Sequence, residues 1–375
     1  MLSRFDDYPI HQTAEPVFHT ASSDRFQYDR YWYNGHAKDG SFYFGVGLCR
    51  YPNLGVLDGS LSLAIDGNQY AFHGSCRAPN EPTDTTIGPF SLQILEPMGR
   101  HRIVIETNDT GIECDLMFTP RTACIEEGRQ TLRNERHVVM DATRLDQFGF
   151  WSGWIRYDGK ELQVDGSTTF GLKDRSWGIR PVGDAYTGGA PLPQYQAIHF
   201  CWMPIHWENE CSLAGWFEDG AGHQWHTDQG FLPHYPTVAD IPGTVDPHAR
   251  TWQGEVGYQF EFLPGTRRAK SAIVTMRDKS GESLEVHLET VMVHRMKGLG
   301  YQHPAWGHGK WHGELVIEAE SWKDADLDPL AVENIHIQQV VKATCGDRVG
   351  HGVLEQMHIG PSSKFGFDDW FDAAK

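Results

Sequence analysis

Along most of the chain, hydrophobic and polar residues alternate one for one. In SLSLAIDGNQYAF, Leu61, Leu63 and Ile65 alternate with smaller or polar residues, Asp66-Gly67 supplies a break, and Tyr70 and Phe72 resume the pattern. A period of two puts successive side chains on opposite faces of a strand, and an Asp-Gly break between two such runs reads as a hairpin. RIVIETNDTGIECDLMFTP repeats the design, with Ile112, Cys114, Leu116 and Phe118 on one face beyond a turn at Gly111. EVGYQFEFLPG alternates Val256, Tyr258, Phe260 and Phe262, and SAIVTMRDKSGESLEVHLETV sets two alternating arms about Lys279-Ser280-Gly281. Each predicts antiparallel strands with one wet face.

Helical spacing is scarce. The best case is DPLAVENIHIQQVVKA, residues 328–343, where Leu330, Ile335, Val340 and Val341 follow it loosely and the β-branched content leaves a strand as rival. RVGHGVLEQMHIGPSSKFGF reads as a final strand that closes a barrel. With 40 glycines and 20 prolines for turns, the pattern predicts an all-β fold of antiparallel barrels or sandwiches with little helix. At 375 residues the chain exceeds the size at which one core usually stops growing, so two domains are expected. RPVGDAYTGGAPLPQY, residues 180–195, is the least strand-like interior segment, which divides the chain into 1–185 and 186–375.

Charge narrows the partners. Fifty acidic against 32 basic side chains, a formal charge of -18, oppose phosphate backbones and anionic lipid headgroups, so neither nucleic acid nor a membrane surface is expected. No apolar core of a signal peptide and no run of about 18 apolar residues is present, so no integral membrane segment is expected and the cytoplasm is the expected compartment. Seven cysteines, dispersed and without a Cys-x-x-Cys pair, read as buried thiols rather than disulfides or a zinc ribbon.

The candidate chemistry centres on KDRSWGIRP, residues 173–181. Asp174, Arg175, Ser176 and Trp177 form either a locally satisfied turn or a polar cluster against an aromatic wall, where a shielded carboxyl could hold and deliver a proton. A close cation, Arg175 or Arg180, favours the ionised carboxylate and works against an acid role. The stretch FGFWSGWIRY adds Trp151 and Trp154, which could line a barrel cavity or simply fill it. HPAWGHGKWHGE brings His303, Trp306, His308 and His312 together, and HFCWMPIHW adds His199, Trp202 and His206. Neither carries a recognised ligand motif and alternation would split their rings between faces, so no metal is expected. No phosphate loop, dinucleotide fingerprint or serine-hydrolase elbow occurs.

The Asp174 motif, followed by AIHFCWMPIHW and LAGWFEDG, resembles the hydroxyneurosporene synthase family, the acyclic carotenoid 1,2-hydratases, and their AttH-like relatives. The likeness covers about the middle third of the chain. It implies two tandem lipocalin-like β-barrel domains and cofactor-independent addition of water to a terminal isoprenoid double bond. Fungal pericyclic cyclases share the double-barrel architecture, so the fold alone leaves the reaction open. The family's Asp-His-x-Trp-Gly signature falls on Asp174, Arg175, Ser176, Trp177 and Gly178, with arginine in place of histidine, and arginine cannot exchange a proton near neutral pH. A downstream acidic position matches Asp219, although Glu218-Asp219-Gly220 reads equally as a hairpin turn. On this likeness Asp174 or Asp219 protonates an alkene, water captures the cation, and His199, His303 or His308 stands in for the missing histidine. Trp151, Trp154, Trp177, Trp202, Trp306, His303 and His308 would then contact a hydrophobic isoprenoid, steroid-like or polyketide substrate. A lipid-binding protein without turnover and an isomerase or cyclase are the alternatives.

Overall fold

The computed structural model describes residues 2–11, 14, 16–134, 137–184, 196–277 and 283–375. It is 56% strand and 4% helix, and the helical residues lie in single 3-10 turns. Among the described residues, 14 strands build one antiparallel sheet that curls into a nearly closed barrel, and nine build a second that forms a half-barrel. The hairpin foreseen at Asp66-Gly67 joins Val56–Ile65 to Asn68–Arg77, with both turn residues at positive φ as a two-residue turn demands. The Lys279-Ser280-Gly281 turn lies outside the described residues, between strands Ala269–Arg277 and Ser283–Arg295.

Three cores follow from the alternation. Leu61, Leu63, Phe72, Ile112, Cys114, Leu116 and Phe118 fill the barrel. Cys201, Met203, Ile205, Trp216 and Tyr258 fill the half-barrel. Trp32, Phe148, Leu172, Phe200, Trp202 and Phe217 fill the space between the two sheets. Strands Gln27–Ala37 and Thr169–Ile179, paired from Gln27 opposite Ile179 to Ala37 opposite Thr169, therefore have two covered faces. One turns Tyr31 and Tyr33 into the barrel, and the other turns Trp32 and Leu172 toward the second sheet. This explains why QYDRYWYNGHA buries polar residues along with its rings.

Two elements depart from the sequence expectation. Residues 328–336 are turns and Ile337–Cys345 is a strand, so the helical reading of 328–343 is corrected: Val340 and Val341 pair with Val353 and Gly352. The strand Arg348–Ile359 lies inside the second sheet, between Ile337–Cys345 and Ile198–His206, rather than closing a barrel. The connection placed at residue 185 falls in a segment, 185–195, outside the described residues. On either side of it the chain feeds different sheets, with one crossing: Leu315–Lys323 returns to pair with Asn68–Arg77 of the first sheet. That return carries the loop 300–314 over the junction between sheets.

Candidate active site

At this junction lies a chamber of about 360 Å³. Arg30 and Trp32 reach it from Gln27–Ala37, Asp174 from Thr169–Ile179, Phe200 and Trp202 from Ile198–His206, and Phe217 from Glu210–Glu218. Two ring pairs make its apolar wall: Trp32 edge-on to Trp202 at 5.9 Å and Phe200 stacked on Phe217 at 4.3 Å. Tyr301 and His308 come from the crossing loop, and His336 and Glu355 from the second sheet and its approach. Gly300, at φ +89°, makes the turn that delivers Tyr301, and a Cβ there would lie 2.8 Å from the Trp306 carbonyl.

The polar groups form one connected array. Arg30 donates through Nη2 to Asp174 Oδ2 at 2.6 Å, through Nε to Ser176 Oγ at 3.2 Å, and through Nη1 to the Tyr301 hydroxyl. Burial pushes the Tyr301 phenol up, with Arg30 and Arg180 opposing, so it keeps its proton. Having accepted from Arg30, its O–H remains free to donate. The Tyr301 ring stands edge-on to His336 at 4.8 Å and to His308 at 4.5 Å. His336 Nε2 lies 2.6 Å from Glu355 Oε1, and the other Glu355 oxygen accepts from Gln338 Nε2 at 2.6 Å. The carboxylate thus fixes the proton of His336 on Nε2 and leaves Nδ1 as a lone pair. His308 Nε2 donates to the Leu299 carbonyl at 2.8 Å and Nδ1 accepts from Arg180 Nη2 at 3.2 Å. Burial, reinforced by Arg180 and Arg30, holds that imidazole well below its ordinary pKa and hence neutral.

Five polar atoms of lining residues are buried without a hydrogen-bond partner: Trp32 Nε1, Asp174 Oδ1, His336 Nδ1, Arg144 Nε and Arg180 Nε. Buried polar atoms are normally paired, and these five, counted among the described residues, belong to side chains that line one chamber. Donors and acceptors are both present. The arrangement can move a proton through His336 Nδ1, donate one through Tyr301, and hold an oxygen with Arg180 or Trp32.

Of the residues singled out from sequence, the chamber gathers Asp174, Arg180, Trp202 and His308. Arg175 points the other way, stacked on Tyr31 at 3.9 Å and bonded to Asp29 at 2.7 Å, because neighbours on a strand face opposite sides. Trp177 stacks on His11 at 3.8 Å, away from the chamber. His199, one step from Phe200, faces His358 and Phe365 on the half-barrel side. Asp219 is a hairpin turn residue, its Oδ1 accepting the amides of Ala221 and His223. Trp151 fills the barrel core and donates to the Asn34 carbonyl, and Trp154 lies against Arg156. His303 and His73 both contact Glu320 Oε1, at 2.9 and 3.0 Å, and His303 Nδ1 accepts the amides of Ala305 and Trp306. Trp306 is sandwiched between His73 and His312. These rings brace the crossing loop from behind.

A family model described as a family of unknown function (DUF8625) matches residues 2–368. The chain belongs to that family. No curated protein matches the sequence. Among solved structures, an AttH-like protein from Nitrosomonas europaea is similar over 88% of this chain and 92% of its own, with TM-score 0.54 and 14% identity. Kievitone hydratase from Nectria haematococca matches over 88% of each chain, with TM-score 0.51 and 9% identity. CghA matches over 94% of this chain and 95% of its own, with TM-score 0.51 and 10% identity. At these identities the likeness shows a shared double-barrel, lipocalin-like fold.

In this family member Arg30, Trp32, Tyr301, His336 and Glu355 escaped the sequence reading. Arg30 and Trp32 sit in a strand whose two buried faces blur the alternation. His336 and Glu355 are 19 residues apart and meet only because Ile337–Cys345 pairs with Arg348–Ile359. A usable signal existed in RYWYNGHA, where an arginine and a histidine interrupt an aromatic strand.

Proposed function

We propose that the chain is a carbon–oxygen lyase that adds water to, or removes it from, a compact hydrophobic substrate bound between the sheets, with proton transfers made by side chains. The observation that carries this reading is the set of unpartnered polar atoms on chamber-lining side chains, above all His336 Nδ1 and Asp174 Oδ1, against an aromatic wall. A chamber of about 360 Å³ is near the small end for ligand pockets, which favours a polyketide- or steroid-like body or a short isoprenoid over a long carotenoid chain. The fold shared with kievitone hydratase supports a hydratase class and leaves the substrate open.

In the elimination direction, His336 Nδ1 takes a proton from a carbon next to the hydroxyl-bearing one, and Glu355 stabilises the imidazolium. Arg180 and the Trp32 N–H hold a substrate carbonyl, on which charge develops. Tyr301 passes its proton to the leaving hydroxyl, and Arg30 stabilises the phenolate. Water departs and the double bond forms; hydration runs the same steps in reverse. Asp174, ion-paired to Arg30, is better placed to accept a hydrogen bond from the substrate or water than to protonate an alkene. This departs from the carbocation route implied by the carotenoid hydratases.

The test is incubation of the purified protein with candidate unsaturated carbonyl compounds and their hydroxy counterparts in H₂¹⁸O, followed by mass spectrometry. The expected result is ¹⁸O incorporation that is lost in His336→Ala. Turnover without label would make the protein an isomerase or cyclase, and ligand recovered unchanged would make it a carrier.

A further inference from the structure

Behind the chamber wall lies a second constellation that the lyase reading does not use. The short strand Ile125–Glu126 runs against Leu145 and Asp146, and the chain then turns Glu127 into the gap between sheets. From the second sheet, strand Gln224–Pro233 sends in His226 and Asp228. One ligand-capable atom from each of Glu127, His226 and Asp228 lies within 4.8 Å of the other two. Asp146, paired across the strands with Ile125, lies beside this group. Glu127 is 6% exposed, Asp146 0% and Asp228 7%.

The partners of these groups do not account for them. Glu127 Oε1, both oxygens of Asp146, Asp228 Oδ2 and His226 Nε2 are all buried without a hydrogen-bond partner. His226 Nε2 and Asp228 Oδ2 are only 2.6 Å apart yet are not aligned for a hydrogen bond. An ion between them would need these two atoms to open slightly, to the separation of ligands that share one centre. The other Asp228 oxygen accepts the Gly128 amide at 2.7 Å, an outer contact that fixes the carboxylate's direction. Charge points the same way. Three buried carboxylates face one nearby guanidinium, Arg144, 3.4 Å from Glu127 Oε2, and a dication would balance the remainder.

We propose that Glu127, His226 and Asp228, with the Asp146 carboxyl beside them, form a binding site for a divalent first-row cation such as Zn²⁺ or Mn²⁺, which joins the barrel to the half-barrel behind the chamber. One imidazole with two carboxylates suits such ions, and ligands at about 2.0–2.2 Å from a common centre stand roughly 3–4 Å apart. The ion is an interdomain clamp: Arg144, which lines the chamber, takes its place from Glu127, so the site also sets one chamber wall. The rival is neutralisation by protons, toward which burial, and then the neighbouring carboxylates, drive both Asp146 and Glu127.

The experiment uses untagged full-length protein, stripped with chelator, exposed to Zn²⁺ or Mn²⁺ and desalted. Metal is counted by plasma mass spectrometry and Tm is followed by calorimetry. We expect about one bound ion per chain and a Tm rise on the order of 5 °C, both lost in Asp228→Asn and in His226→Gln. No retained ion and an unmoved Tm in the wild-type protein would overturn the site in favour of protons. An unchanged stoichiometry in folded Asp228→Asn would place the metal elsewhere and overturn it equally. The wild-type titration decides the matter if neither variant folds.

Discussion

His336 lines the chamber, and its Nε2 lies 2.6 Å from Glu355 Oε1 while its Nδ1 is buried without a hydrogen-bond partner. The carboxylate contacts the ring from the side opposite Nδ1 and fixes the tautomer, as the proposed base role of Nδ1 requires. His336→Ala is therefore expected to lower kcat by about 10²–10⁴-fold. Glu355→Gln should cause a smaller loss with KM little changed. Steady-state kinetics on the substrate found by ¹⁸O labelling checks both, and an unaffected kcat in folded His336→Ala would remove His336 from the chemistry.

Tyr301 contributes an O–H that no other lining residue among the described ones duplicates, and it is held by Arg30. Replacing it with phenylalanine keeps the ring against His336 and His308 but deletes the donor. Tyr301→Phe should lose about 10²-fold in kcat while binding an apolar fluorescent probe with nearly the wild-type Kd. Equal losses in both measurements would reduce Tyr301 to a wall residue.

Arg175 tests the sequence-based assignment against the structural one. Its guanidinium stacks on Tyr31 and bonds to Asp29 and to the Arg30 carbonyl, all on the barrel side. Lysine retains the charge but not the planar fork, so Arg175→Lys should cost about 1–3 kcal/mol of stability by urea unfolding. Activity per folded molecule is expected to stay the same, and a selective fall in kcat would return Arg175 to the reaction.

Asp7 gives the pH dependence. Its carboxyl lies wholly inside the barrel end, against His101 Nε2 at 2.8 Å and Lys173 Nζ at 3.3 Å. Burial alone would raise its pKa, but His101, Lys173 and Arg175 outweigh that and hold the carboxyl far below the usual range. The unfolded chain, with an Asp pKa of about 3.9, therefore takes up the proton first as pH falls. The stabilisation is complete above about pH 5 and drains away below it, toward the folded value. Urea titrations at pH 7, 5, 4 and 3 should show a steeper acid loss for wild type than for Asp7→Asn, which is weaker at pH 7 by about 3–5 kcal/mol. Parallel pH curves would contradict this.

The alternation of Leu61, Leu63, Tyr70 and Phe72 about Asp66-Gly67 was enough to specify a hairpin, because strand sidedness and a two-residue turn are local properties of the chain. The same local rule separates Asp174 from Arg175, yet it cannot say which of them faces a cavity. When both faces of Thr169–Ile179 are buried, hydrophobicity no longer labels inside and outside. Trp151 shows the same ambiguity: its ring looks equally suited to core or ligand until Asn34 and the barrel interior claim it. Sequence alone thus determined the strand-rich architecture and marked Asp174 as a group worth watching. The tertiary structure decided that Asp174 meets Arg30 from the neighbouring strand, that a crossing loop brings Tyr301 to them, and that His336 meets Glu355. Those encounters depend on pairings between residues far apart in the chain, which no local periodicity encodes.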